Sequence, residues 1–247
     1  MVQVSIVIPI KNEAENIGRL VQQIQQSCAE HGDFEIIVVD DGSGDNSADV
    51  VREMMVSQGN LRLMQHKASA GQSAAVHSGV LAARGVIVAT LDGDGQNPPE
   101  ELPKLFAPLI DPSVSPQLGL VAGQRVGRKD TFSKKLASSF ANGLRSKLLK
   151  DGTRDTGCGL KAFRRDAFLT LPYFNHMHRY LPALFGRAGW EIAHVDVSHR
   201  ARNAGSSNYS NLQRGLVGAV DLFGVMWLLR RRKTAASTEV NISVGET

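Results

Sequence analysis

Four short runs rich in Val and Ile recur through the first hundred residues, each separated from the next by an amphipathic helical stretch. That alternation constrains the fold most, because strands apolar on both faces, joined by helices, close into a parallel sheet covered on both sides. One run ends at Ile10, and the others span Phe34 to Asp40, Leu61 to His66 and Val86 to Leu91. Helices are predicted from about Glu13, from about Asn46 and over Gly71 to Arg84. Beyond them, Pro98-Pro99-Glu100-Glu101 reads as a helix start, with proline in the first turn and acids favoured by the dipole. Asp111 to Gln117 reads as a loop, Leu118 to Arg125 as a strand, Thr131 to Lys150 as a basic amphipathic helix and Trp190 to His199 as a strand.

Open sheets of this kind bind ligands beyond the carboxyl ends of their strands. Three such ends carry polar clusters: Pro9 to Glu15, Asp40 to Asp45, and Asp92 to Gln96. In the last, side chains two apart on extended chain point the same way, so Asp92, Asp94 and Gln96 can converge on a hard cation. Mg²⁺ or Mn²⁺ held so sparingly completes its shell with water and phosphate oxygens, which points to a nucleotide diphosphate. The alternative is an acidic turn bent at Gly93 and Gly95. The other two clusters lack the glycine spacing that wraps backbone donors around an anion. Their carboxylates suit base N–H groups or ribose hydroxyls. Capping competes with that role, by Asn12 ahead of one helix and by Ser43 to Asp45 ahead of the next.

With 247 residues, 42% of them apolar, the chain suits one sizeable α/β domain and is not disordered throughout. The net charge of +4 comes from cations bunched in the second half, among them Arg125, Arg128, Lys129, Lys134, Lys135 and Arg230 to Lys233, which suits anionic partners. Two cysteines, Cys28 and Cys158, make neither a zinc framework nor a disulfide scaffold, so a reducing compartment is expected. The histidines, His176 and His178 included, show no metal-ligand spacing and read as structural. The amino terminus opens directly into a strand and the most apolar late segment, Gly215 to Leu229, contains Asp221, so a cytoplasmic chain without a membrane span is expected.

The residues now carry a resemblance. Val7-Ile8-Pro9-Ile10-Lys11-Asn12-Glu13, Val38-Val39-Asp40-Asp41-Gly42-Ser43, Gly71-Gln72-Ser73, Asp92-Gly93-Asp94-Gly95-Gln96-Asn97-Pro98-Pro99-Glu100, Asp155-Thr156-Gly157-Cys158-Gly159 and Arg202 to Tyr209 follow one another as in family 2 glycosyltransferases. They are most similar to the dolichol-phosphate mannosyltransferase and bacterial polyprenyl-phosphate glycosyltransferase branch. The resemblance covers about the first 210 residues and implies a GT-A fold, a Rossmann-like, mostly parallel sheet flanked by helices. It implies an inverting, metal-dependent transfer from GDP-mannose or a UDP-sugar to a polyprenyl phosphate. On the same basis Pro9, Asn12, Glu13, Val39, Asp41, Gln72 and Gly93 would line the nucleotide-sugar pocket. Asp92, Asp94 and Gln96 would hold Mg²⁺ or Mn²⁺, and Arg125, Arg128, Arg200, Arg202 and Ser207 would face phosphates. Lys11 replaces an aromatic residue common near the base, and Asn208 replaces a usual lysine.

Two readings from the residues bear on the acceptor. A phosphate monoester is mostly dianionic at neutral pH, its second pKa being about 6, so it needs no general base, whereas a sugar hydroxyl does. Around Asp155 to Phe163 the one carboxylate is Asp155, which favours a phosphate acceptor, with Asp155 as a base the counter-reading. The arginines after two predicted strands are expected to deliver four planar donors to one cleft. Asn211 to Lys233 combines apolar residues with a terminal basic cluster, as an interfacial membrane helix does, and burial against the domain is the competing reading. The expected organisation is therefore a catalytic domain over 1–210, a membrane-facing helical segment over 211–233 and a disordered tail over 234–247. A peripheral position on the cytoplasmic face, a possible homodimer and no nucleic-acid partner complete the expectation.

Overall fold

The computed structural model describes residues 2–126, 145, 148–149, 151–200, 211–231, 233, 235 and 238, with only the backbone of 211–217. Its strands are β1 (Val4–Ile10), β2 (Phe34–Asp40), β3 (Leu61–Gln65), β4 (Ile87–Thr90), β5 (Leu118–Arg125), β6 (Lys161–Arg164) and β7 (Glu191–Val197). They form one sheet in the order β3-β2-β1-β4-β6-β5-β7. Every pairing is parallel except those of β6, which lies antiparallel between β4 and β5. The helices are α1 (Ala14–Cys28), α2 (Ser47–Met55), α3 (Gln72–Ala82), α4 (Leu102–Ile110), α5 (Arg165–Leu169), α6 (Leu181–Arg187) and α7 (Asn211–Arg230).

Alternation along β1 builds two cores. Val4, Ile6, Ile8 and Ile10 pack against α1, α2 and α4, while Val7 faces the opposite side with α3, α5, α6 and α7. Both faces are buried, which is why the strands read as continuous apolar runs. The chain leaves β1 for β2 on one side and returns through α3 to β4 on the other, so the strand order switches between β1 and β4. Ligands of such sheets sit beyond that point.

The expected strands Phe34–Asp40 and Leu118–Arg125 match to the residue, and the other early elements shift by one or two positions. Asn12 does not cap α1. It sits at φ 56°, and α1 starts at Ala14 with Glu13 as its flanking residue and no cap from its own side chain. The caps come from the next loop: Ser47 Oγ accepts the Glu13 N–H at 2.8 Å and Asp45 accepts that of Ala14 at 3.2 Å. The predicted helix over Thr131 to Lys150 falls outside the described residues except Arg145, Leu148 and Leu149, which are helical.

Candidate active site

β4 stops at Thr90, so Asp92 to Gln96 lie in a turn past the strand and not on extended chain. The alternation expected to align the three side chains is therefore absent, and the turn groups them differently. Asp94 Oδ1 accepts the Gln96 backbone N–H at 3.1 Å, and Gly95 turns the chain at φ 72°. Asp92 accepts from Gln72 Nε2 at 2.7 Å and from Asn97 Nδ2 at 3.1 Å. Two glycines let backbone close on this turn. A Cβ on Gly93 would stand 2.6 Å from Ile10 Cγ2, and one on Gly159 would stand within 2.5 Å of the Asp92 carboxylate.

Burial pushes the Asp92 carboxyl above the ordinary range and the Asp94 charge adds to that, against the pull of Lys161, Asn97 and Arg125. A carboxylate whose charge is disfavoured by burial and by a second carboxylate nearby suits a divalent cation, which takes hard oxygen ligands. Among the described residues no group of three His, Cys, Asp or Glu side chains could hold a metal ion. Two carboxylates with an amide close by are hard oxygen donors of the kind that Mg²⁺ or Mn²⁺ takes.

Asp92 opens onto a cavity of about 300 Å³ lined by Gln72, Arg125, Asp155 to Gly159, His178 and Arg179. Across it, Arg125 and Asp155 form a bidentate pair, Nε to Oδ2 at 2.6 Å and Nη2 to Oδ1 at 2.9 Å. Arg200 lines a second cavity, of about 320 Å³, with Gly95, Glu15, Asn16, Arg19 and Gln23. It binds Glu100 at 2.6 and 2.8 Å and donates its backbone N–H to the Gln96 carbonyl at 3.0 Å. Arg125 and Arg200 therefore serve different cavities, contrary to the single cleft expected, because the turn and its flanking helix claim Arg200. Arg128, Arg202 and Ser207 lie outside the described residues.

Of the residues expected around the nucleotide, Pro9 lines a small cavity beside Asp92. Val39 is buried in the core on the α3 face. Glu13 accepts from Asn16 at 2.7 Å, and the Asn12 side chain accepts the Gly44 N–H at 2.7 Å. Asp41 accepts from His66 Nδ1, Ser69 Oγ and the backbone N–H groups of Ala70 and Gly71, at 2.7 to 2.8 Å. Burial works to raise its pKa, yet these four donors hold it below the ordinary carboxylate range. They match the carboxylate's four lone-pair sites, so Asp41 here fastens the turn leading into Gln72, and a base or ribose contact would need one bond exchanged.

The sequence gives no reading of Lys161 and reads His178 as structural. The Lys161 amine is buried beside Asp92 and bonds the Cys158 carbonyl. Burial pushes its pKa down while Cys158, Asp92 and Asp155 pull it up. A lysine between Leu160 and Ala162-Phe163 in an apolar strand was the available signal, since buried charges are rare. His178 Nδ1 pairs with Ser73 Oγ at 2.7 Å, and burial, with the Lys161 charge, lowers its pKa to about 3, so the ring is neutral.

An open sheet with an acidic turn and an arginine-lined cavity beyond its switch point is the architecture of the GT-A glycosyltransferases. Glucosyl-3-phosphoglycerate synthase from Mycobacterium tuberculosis, solved with Mn²⁺, UDP and glucosyl-3-phosphoglycerate, shares it with a TM-score of 0.70 at 19% identity, over 92% of this chain and 79% of that one. The family model for glycosyl transferase family 2 matches residues 5–171, and the chain belongs to that family. It is 33% identical over 92% of its length to dodecaprenyl-phosphate galacturonate synthase from Rhizobium johnstonii, covering 68% of that protein. To undecaprenyl-phosphate 4-deoxy-4-formamido-L-arabinose transferase from Proteus mirabilis it is 33% identical over 85% of its length, covering 64% of that protein. The chain thus spans about two thirds of each relative.

Proposed function

We propose that this glycosyltransferase moves one sugar, with inversion and with a divalent cation, from GDP-mannose or a UDP-sugar to a polyprenyl phosphate. The observation that carries the acceptor class is the Arg125–Asp155 pair. Among the described residues lining the main cavity, Asp155 is the one carboxylate besides Asp92, and its two oxygens are engaged by a guanidinium. That suits an acceptor that brings its own negative charge better than a hydroxyl awaiting a base. The relatives' names, which specify dodecaprenyl and undecaprenyl phosphate, support the same acceptor.

In this reading Asp92, Asp94 and Gln96 hold Mg²⁺ or Mn²⁺, which when bound supplies Lewis-acid stabilisation of the leaving diphosphate. Gln72 and Asn97 orient Asp92. Asp155 fixes Arg125 through two of its five donors, leaving the rest of the fork for the acceptor phosphate, which attacks the anomeric carbon directly. Pro9, Asn12, Glu13 and Gly93 border the nucleotide, and Arg128, Arg202 and Ser207 contribute to phosphate binding. Lys161 counterbalances the acidic turn from below.

The surface fits a lipid acceptor. Val220, Phe223 and Trp227 are 72, 70 and 60% exposed along one stripe of α7, and Arg230, Arg231 and Lys233 follow it. Arg231 lies over the Trp227 ring at 5.8 Å. An apolar stripe ending in cations suits an anionic bilayer at the cytoplasmic face. No helix among the described residues is long and apolar enough to cross a membrane. The opposite side of α7 packs on the domain through Val225, so both sequence readings of this segment find support.

The test is transfer of radiolabel to undecaprenyl phosphate in vesicles, with GDP-mannose and a panel of UDP-sugars, with Mn²⁺ or Mg²⁺ and with EDTA. A lipid-linked product that EDTA abolishes is expected, and it should vanish in a folded Asp92→Ala/Asp94→Ala variant. Labelling of a soluble sugar without lipid would overturn the acceptor.

A further inference from the structure

Between α7 and the main cavity runs a short turn, Met177–Arg179, that is fastened at both ends. On the α7 side, His176 Nδ1 pairs with Asp221 Oδ2 at 2.8 Å, and Tyr180 donates its hydroxyl to the Gly218 carbonyl at 3.3 Å. His176 sits at φ 65°, a left-handed conformation that a residue with a Cβ holds only where surroundings impose it. Met177, 1% exposed, anchors the turn in the core. On the other side, His178 and Arg179 line the main cavity, and His178 is held by Ser73 Oγ. Ser73 adjoins Gln72, which donates to Asp92.

Asp221 lies on the same helix as the exposed stripe of Val220, Phe223 and Trp227. It is a carboxylate in an apolar helix, spent on a histidine that the chain strains to present. We infer that Asp221 and His176 are positioning residues that transmit the seating of α7 on lipid to the acceptor side of the cavity. The inference rests on the membrane-facing reading of α7. Fixing α7 fixes Asp221, Asp221 fixes the turn through His176, and the turn sets His178 and Arg179 against Gln72 and Asp92. The enzyme would thereby order its acceptor subsite where the lipid phosphate is found.

Hydrogen–deuterium exchange of the full chain, with and without vesicles of phosphatidylcholine and phosphatidylglycerol, tests this without requiring turnover. In the unaltered protein, vesicles should slow exchange at Met177 to Tyr180 about tenfold, the factor a hydrogen bond worth about 1.4 kcal/mol supplies. Asp221→Ala should still float with the vesicles yet lose that protection. Asp221→Asn, whose side-chain oxygen still accepts the imidazole N–H, should restore it. His176→Gly keeps the left-handed backbone and removes the ring, so it should repeat the loss even if Asp221→Ala fails to fold. Full vesicle-induced protection in His176→Gly or Asp221→Ala would overturn the coupling while leaving the membrane reading intact. Failure of the unaltered chain to float would overturn both.

Discussion

At the scale of single residues, the site depends on how closely backbone approaches carboxylate. Gly159 leaves no room for a Cβ beside Asp92, so Gly159→Ala must push Asp92 or the Cys158–Gly159 backbone aside. A displacement of this size in a positioned group costs about a hundredfold in rate. Gly159→Ala is therefore expected to lose about that much kcat and, through overpacking, about 1 to 3 kcal/mol of stability, which activity and thermal unfolding measured together would check. Asp155 separates the two acceptor chemistries. If it positions Arg125, Asp155→Asn keeps one oxygen acceptor for the guanidinium, so activity should fall about tenfold, the loss of one charge-assisted bond, with an unchanged pH profile. A general base lost at that position would remove about 10² to 10⁴ in rate together with the acidic limb of the profile.

At the scale of elements, α1 and α2 share their start signals. Asp45 Oδ1 accepts the Ser47 N–H at 3.0 Å while Oδ2 accepts that of Ala14 at 3.2 Å, and Ser47 Oγ accepts that of Glu13 at 2.8 Å. Asp45→Ala therefore uncaps two helices at once. A loss of about 2 kcal/mol is expected, twice the usual cost of a missing N-cap, and chemical denaturation would measure it. This arrangement also marks how far the sequence could be read. Local alternation defined β1 to β5 and α1 to α4, because periodicity and turn chemistry are written in neighbouring residues. The four-residue β6 was missed: an antiparallel insertion is set by partners in β4 and β5, far away in the chain. The motif residues of the acidic turn were legible as chemistry but not as geometry. Nothing local says that the strand ends at Thr90, or that Gln72 and Gly159 converge on Asp92. His178 looked ordinary because its partner Ser73 lies 105 residues away.

At the scale of the whole molecule, the buried titratable groups set how stability responds to acid. His178 has its folded pKa lowered to about 3, whereas an unfolded histidine titrates near 6.5. Above about pH 6.5 both states carry a neutral ring, and His178 contributes no pH dependence. As pH falls from there toward about 3, the unfolded chain binds a proton that the native fold refuses, so stability drops by at most about 1.4 kcal/mol per pH unit for this group. His77 and His194, both lowered chiefly by burial, act in the same direction. Glu35 enters lower down. Burial works to raise its pKa, but bonds from Ser5, Arg62 and the Arg84 backbone hold it below the ordinary value, so its contribution is present above the unfolded pKa and fades as acid protonates it. Two windows follow: a histidine window that opens near pH 6.5 and runs down toward about 3, and a carboxylate window that overlaps its lower part. Denaturation midpoints taken every half unit from pH 8 to 4 should be flat at first and then decline. His178→Gln, with a neutral side chain, should reduce the slope through both windows and leave in the lower one only the carboxylate contribution. An unchanged slope between pH 6.5 and 4.5 in that variant would mean that the imidazole takes up its proton within the native fold, and that the neutral ring against Ser73 is not the state the protein holds.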